Sequence, residues 1–120
     1  MPHLDNFILL LYGWGPEETG RLSALLHLAA TAIAMDLETR IFLFTDGATL
    51  ARAGVAAKID PAIAERFRRI LQDDKVKVYV CEEAAVKRAI GRDNVEPGIS
   101  MVGYATFLAL ATEARAVITI

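Results

Sequence analysis

A chain of 120 residues can bury a core without disulfide staples, and its single cysteine, Cys81, has no partner for an internal one. A net charge of -2 at pH 7, with basic residues scattered among acidic ones, leaves no electrostatic footprint for a nucleic-acid backbone, so no nucleic-acid partner is expected. No apolar run reaches the roughly 18 to 20 residues that span a bilayer; the greasiest stretch, Leu22 to Met35, is broken by Ser23, His27 and Thr31, and no membrane partner is expected.

The segment Met1-Pro2-His3-Leu4-Asp5-Asn6 has neither a basic start nor an apolar secretory core, which points to a cytoplasmic, reducing location. Phe7 to Tyr12 is a continuous apolar run closed by Gly13 and reads as a strand buried on both faces. A loop carrying Gly13, Gly15, Pro16 and Gly20 leads to a helix whose Leu22, Leu25, Leu26, Ala29 and Ile33 share one stripe. Leu28, Ala32 and Met35 give it a second apolar flank, a candidate subunit contact.

Arg40 to Thr45 predicts a second strand, stopped by the turn pair Asp46-Gly47. A short helical piece runs to Ala53 and ends at Gly54. Asp60-Pro61 supplies an N-cap and a first-turn proline for a helix that buries Ile63, Phe67, Ile70 and Leu71. Lys75 to Val80 predicts a third strand, with Cys81 at its end, and the helical run from Cys81 to Ile90 is stopped by Gly91. Ile99 to Val102 followed by Gly103 predicts a fourth strand, Tyr104 to Glu113 a helix, and Ala116 to Ile120 a fifth strand.

Parallel strands need crossovers of helix length, so this alternation predicts a mostly parallel five-stranded sheet with helices on both faces, in one domain over residues 1–120. Every strand-to-helix turn then lies on one edge, which brings Gly13, Asp46-Gly47, Cys81 and Gly103 to the carboxyl ends of strands, where open α/β sheets bind ligands. Hydrophobic residues make up 54% of the chain. That excess fits a subunit interface, and fits equally a sheet covered on both faces.

Motifs for other chemistries fail on particular residues. In Gly13-Trp14-Gly15-Pro16-Glu17-Glu18-Thr19-Gly20 the third glycine of a dinucleotide loop is replaced by Glu18, whose carboxylate would face a pyrophosphate. As a phosphate loop, Gly15 and Gly20 have the right separation, but Arg21-Leu22 stand where Lys and Ser/Thr are needed. His3 and His27 with one cysteine make no zinc set, so neither a metal nor an organic cofactor is expected. His27, mid-helix, is better read as a satisfied surface residue than as a base for a cysteine nucleophile.

Cys81 has two readings. Cysteine is among the most buried residue types and often only fills space. Against that, a thiol at a helix N-terminus on the ligand-binding edge is favoured as a thiolate, while Glu82 and Glu83 directly after it oppose ionisation.

The blocks Ala30 to Asp36, Ile41 to Gly47 with its Phe-x-Phe-x-Asp-Gly turn, Val76 to Cys81, Val102-Gly103-Tyr104 and Ala116 to Ile120 together resemble the DsrE/DsrF-like family, which includes TusD-type sulfur-relay proteins. The resemblance covers nearly the whole chain. It implies a three-layer α/β/α fold, homo- or hetero-oligomers, and sulfur donor and acceptor proteins as partners. It also implies a sulfurtransferase or carrier role in which Cys81 holds sulfane sulfur as a persulfide, by exchange steps of the thiol-disulfide kind. Asp46, Gly47 and Gly103, with Gly13 on the same edge, are expected to act first as turn residues and secondarily as pocket lining. The alternatives are a non-catalytic scaffold subunit of a sulfur-relay or redox complex, which some family members are, and a small-ligand sensor using the same edge.

Overall fold

The structure, a computed structural model, describes residues 7–120. Five parallel strands form one sheet in the order β4-β3-β2-β1-β5. They are β1 (Phe7–Tyr12), β2 (Glu38–Leu43), β3 (Val76–Cys81), β4 (Ile99–Val102) and β5 (Ala116–Thr119). Between them run α1 (Thr19–Ala34), α2 (Pro61–Gln72), α3 (Glu82–Lys87) and α4 (Tyr104–Glu113). Strand order steps outward three times and then returns past β1 to the opposite edge. Right-handed crossovers accordingly place α1, α2 and α3 on one face and α4 on the other. The α/β fold with a five-stranded parallel sheet is as the sequence pattern predicts.

Register assigns each side chain to a face. Leu10, Ile41 and Val78 lie abreast in the three inner strands, as do Leu11, Phe42 and Tyr79 one position later. Successive residues alternate faces, so Val76, Val78 and Val80 share one side of β3, and Lys77, Tyr79 and Cys81 the other. Phe42 identifies the second side, because its ring centroid lies 5.0 Å from that of Phe107 in α4. The core is therefore uneven. Leu22, Leu25, Leu26 and Ala29 of α1 and Phe67 and Ile70 of α2 are buried on the first face, whereas α4 has no buried residue.

Several boundaries differ from those the sequence predicts, each for a local reason. The first helix begins at Thr19 and takes in Gly20, which the sequence pattern assigns to the loop. β2 ends at Leu43 because Thr45 adopts a left-handed backbone, φ 48°, held by its hydroxyl donating to the Gly13 carbonyl at 3.0 Å. The chain then tightens into a 3₁₀ segment, Thr45–Ala51. α3 stops at Lys87, short of Ile90: Ala89 turns left-handed at φ 57°, and the Ile90 N–H donates to the Ala85 carbonyl at 2.9 Å, closing the helix and burying Ile90. α1 is closed in the same way by Asp36 at φ 63°, with the Leu37 N–H donating to the Ala32 carbonyl at 2.9 Å. Neither stop uses glycine, which is why composition did not mark them. The cap of α2 is as expected, Asp60 Oδ1 accepting from the Ala62 N–H at 2.8 Å ahead of Pro61 at the first turn.

Glycine at position 47 is required by proximity: a Cβ there would stand 2.3 Å from the Tyr12 carbonyl oxygen. Gly20 has no atom within 4 Å of such a Cβ. Gly47→Ala is therefore expected to lower unfolding stability by roughly 1 to 3 kcal/mol, while Gly20→Ala, in a helix, raises it by roughly 0.5 kcal/mol. Urea titrations of both variants check the opposed signs.

Tyr12 is fully buried at the end of β1, with its hydroxyl directed at the Gly15 and Glu18 carbonyls. Burial, reinforced by Glu18 and Glu17, pushes its pKa from the ordinary 10.0 up to about 12. A folded-state value above the unfolded one means this contribution is intact below pH 10 and lost as pH rises toward 12. Melting temperatures measured from pH 9 to 12 should fall more steeply for the wild type than for Tyr12→Phe; parallel slopes would contradict this.

Candidate functional site

Alternation along β3 delivers Cys81 to the face that α4 covers, at the carboxyl end of an inner strand. Its backbone is extended, φ -63° and ψ 122°, and it is the residue from which α3 springs. Glu82 and Glu83 occupy the first turn of α3, where carboxylates suit the exposed N–H groups. The thiol itself is fully enclosed.

The neighbouring strand brings the next component. Cys81 lies abreast of Val102 in β4. Gly103 comes next as the N-cap of α4, accepting from the Phe107 N–H at 3.3 Å, so Tyr104 opens that helix beside the cysteine. The Tyr104 hydroxyl donates to Glu83 Oε1 at 3.0 Å. Its pKa is raised to about 12, first by the hydrogen bond with Cys81 and then by that with Glu83. Glu83 Oε2 in turn lies 3.9 Å from Lys87 Nζ. Thiol, phenol, carboxylate and ammonium thus succeed one another from the enclosed sulfur to solvent.

The other residues expected on this edge are all at the carboxyl ends of strands, with different local tasks. Gly13 comes directly after β1 and receives the Thr45 hydroxyl on its carbonyl. Gly47 lets the 3₁₀ segment press against Tyr12. Asp46 accepts from Arg88 Nη2 at 2.7 Å, and Arg88 Nη1 donates to the Ala84 carbonyl at 3.0 Å, tying the end of β2 to α3. Gly103 is the one next to a side chain that meets Cys81. Tyr104 itself is a site residue that the sequence pattern does not single out. The available signal is positional: an aromatic hydroxyl one residue past a strand-end glycine, on the edge that carries the cysteine.

His27 lies on α1, on the opposite side of the sheet from Cys81, with its Nε2 2.6 Å from Arg66 Nη1, so it is no base for this thiol. The groove it borders, about 430 Å³ between α1 and α2, belongs to that other layer. His3 lies outside the described residues. Among the described residues, no three His, Cys, Asp or Glu side chains are grouped to hold a metal ion, and no helix is long and apolar enough to cross a membrane.

The DsrE/DsrF-like family is matched over residues 7–120, which takes in all five strands and Cys81. The chain belongs to the DsrE/DsrF-like family. It is 37% identical over 108 residues to the uncharacterized protein MJ0760 of Methanocaldococcus jannaschii, a match covering 87% of this chain and 38% of that protein. The chain thus spans well under half the length of that curated relative. Among solved structures it is similar to ychN of E. coli, with a TM-score of 0.82 at 20% identity over 96% of this chain and 99% of the other. MTH1491 of Methanobacterium thermoautotrophicum gives a TM-score of 0.69 at 16% identity over 95% and 99%. At such identities the two structures speak for the fold alone.

Proposed function

We propose that this DsrE/DsrF-like chain, acting as one domain over residues 1–120, carries sulfane sulfur on Cys81 between a donor and an acceptor protein, in the manner of a sulfurtransferase of a cytoplasmic relay. The observation that carries the reading is the placement of the lone cysteine at the carboxyl end of an inner strand, abreast of Val102 just ahead of α4, in a chain of this family. Storage requires one exchange: the thiolate takes the outer sulfur of a persulfide, and the donor leaves as a thiol. Gly103, with the Gly13 and Asp46-Gly47 turns, bounds the edge at which the donor would arrive. A free cysteine fits a reducing compartment.

The enclosure of the thiol favours a second reading, a scaffold subunit in which Cys81 only packs. Reduced protein incubated with polysulfide and weighed intact separates the two. The carrier reading expects added single sulfur atoms on the wild type and none on Cys81→Ser. No adduct on the wild type, or an equal adduct on the variant, refutes it.

Both readings include assembly with further subunits. Support comes from the face of α4, where Tyr104 and Leu108 are 52% and 60% exposed in a helix with no buried residue, and from Val117 at 45% in the adjoining β5. The second flank of α1 contributes less, with Leu28 and Met35 exposed but Ala32 buried. Sedimentation at micromolar concentration should give a mass above 13.1 kDa, reduced by Leu108→Glu. A wild-type monomer would rule out self-association, and an assembly indifferent to Leu108→Glu would place the contact elsewhere.

A further inference from the structure

On the side of the sheet away from Cys81, α1 and α2 leave a groove of about 430 Å³ between them, a volume within the range of small-ligand sites. Its floor is apolar. Leu26 of α1 and Ile70 of α2 are buried there, Ile33 is partly buried, and the small side chain of Ala30 leaves the gap open. His27 and Arg66 stand on the rim, with His27 Nε2 2.6 Å from Arg66 Nη1. An arginine can only donate, so Nε2 accepts and the ring proton sits on Nδ1. The contact holds the guanidinium at the groove and leaves its other N–H groups unused among the described residues.

Several arginines of this chain are matched to carboxylates: Arg40 to Glu38, Arg68 and Arg69 to Glu65, and Arg88 to Asp46. Arg66 has no such match among the described residues. Arg69, on the same rim, meets Glu65 through its Nε alone, so its two terminal nitrogens are also without a hydrogen-bond partner among those residues. Asp73 is the carboxylate that lines the groove, and its Oδ1 accepts from the Lys75 N–H at 2.8 Å. It comes seven positions after Arg66, roughly 10 Å further along α2 at 1.5 Å per residue. The groove therefore has a cationic end, an apolar middle and an acidic far end, which sets the direction of any occupant with a single negative head.

We propose that this groove binds a small amphipathic carboxylate, with its head on the Arg66 guanidinium beside Arg69 and its apolar tail along Ala30, Ile33 and Ile70. The planar fork of an arginine suits the two oxygens of a carboxylate. The tail leaves water for a floor that is already apolar. A head without a tail forgoes the floor, and a tail with an uncharged head leaves Arg66 unmatched. The groove shares no residue with the edge that carries Cys81, so this site stands or falls apart from the sulfur-carrier reading.

Octanoate titrated into the isotopically labelled chain, with amide chemical shifts as the readout, tests this. Saturable shifts are expected in residues 26–33 and 66–73. Acetate, which has the head alone, and octanol, which has the tail alone, should each bind more weakly by about fivefold or more. Arg66→Gln should weaken octanoate binding by a similar factor, and Ala30→Phe, which fills the groove, should abolish the saturable shifts. Arg68→Gln removes an equal charge from α2 outside the groove and should leave the affinity unchanged. The proposal is overturned by an absence of saturable shifts, by shifts centred elsewhere, or by octanol binding as tightly as octanoate. An Arg68→Gln loss equal to that of Arg66→Gln overturns it too, since the effect would then be one of net charge alone.

Discussion

The side-chain parity of β3 is the constraint on which the site depends. Three valines, Val76, Val78 and Val80, are drawn into the packed layer beneath α1 and α2. With a period of two, that commits Lys77, Tyr79 and Cys81 to the opposite face. The register with β2 and β4 is set by the same burial, so Cys81 arrives abreast of Val102 with no freedom to shift by one residue. A one-residue slip would exchange valine for lysine in the core. Hydrophobic burial on one face thus fixes the position of a thiol on the other.

The two faces do different work as a result. Beneath α1 and α2 the sheet is filled with aliphatic side chains, and the helices are stopped cleanly by left-handed Asp36 and Ala89. Over the other face a single ten-residue helix covers Phe42 through Phe107 and leaves Leu108 and Val117 in solvent. Phe107, Leu110 and Ala111 of this helix pack, partly buried, against the core. At its first turn Tyr104 adds a polar tie to α3 by donating to Glu83 Oε1 at 3.0 Å.

The adjacent glutamates look unfavourable for a reactive thiol when only their charge is counted. Their geometry is more specific. Glu83 reaches across from α3 to the phenol of α4, while Asp46 is occupied by Arg88. Glu83 is therefore engaged by a hydroxyl at one carboxylate oxygen and lies near the Lys87 ammonium at the other.

Much of this was legible in the chain. A continuous apolar run gave β1 its limits, a strand-then-glycine pattern closing at Gly103 gave β4, the Asp60-Pro61 pair marked the start of α2, and helix-length connections demanded a parallel sheet with its turns on one edge, which places Cys81 there. These are local or topological consequences of residue type and spacing. The ends of α1 and α3 were not legible, because Asp36 and Ala89 take left-handed conformations that only the burial of Thr39 and Ile90 just beyond them makes worthwhile. Gly47 read as a turn residue, whereas its need for hydrogen in place of a side chain comes from Tyr12, thirty-five positions earlier in the chain. Above all, Tyr104 and Cys81 are separated by a helix, a loop and a strand, and no periodicity joins them. Pairing of β4 against β3 decided their encounter, since hydrogen bonds between distant segments are chosen by the packing of the whole sheet.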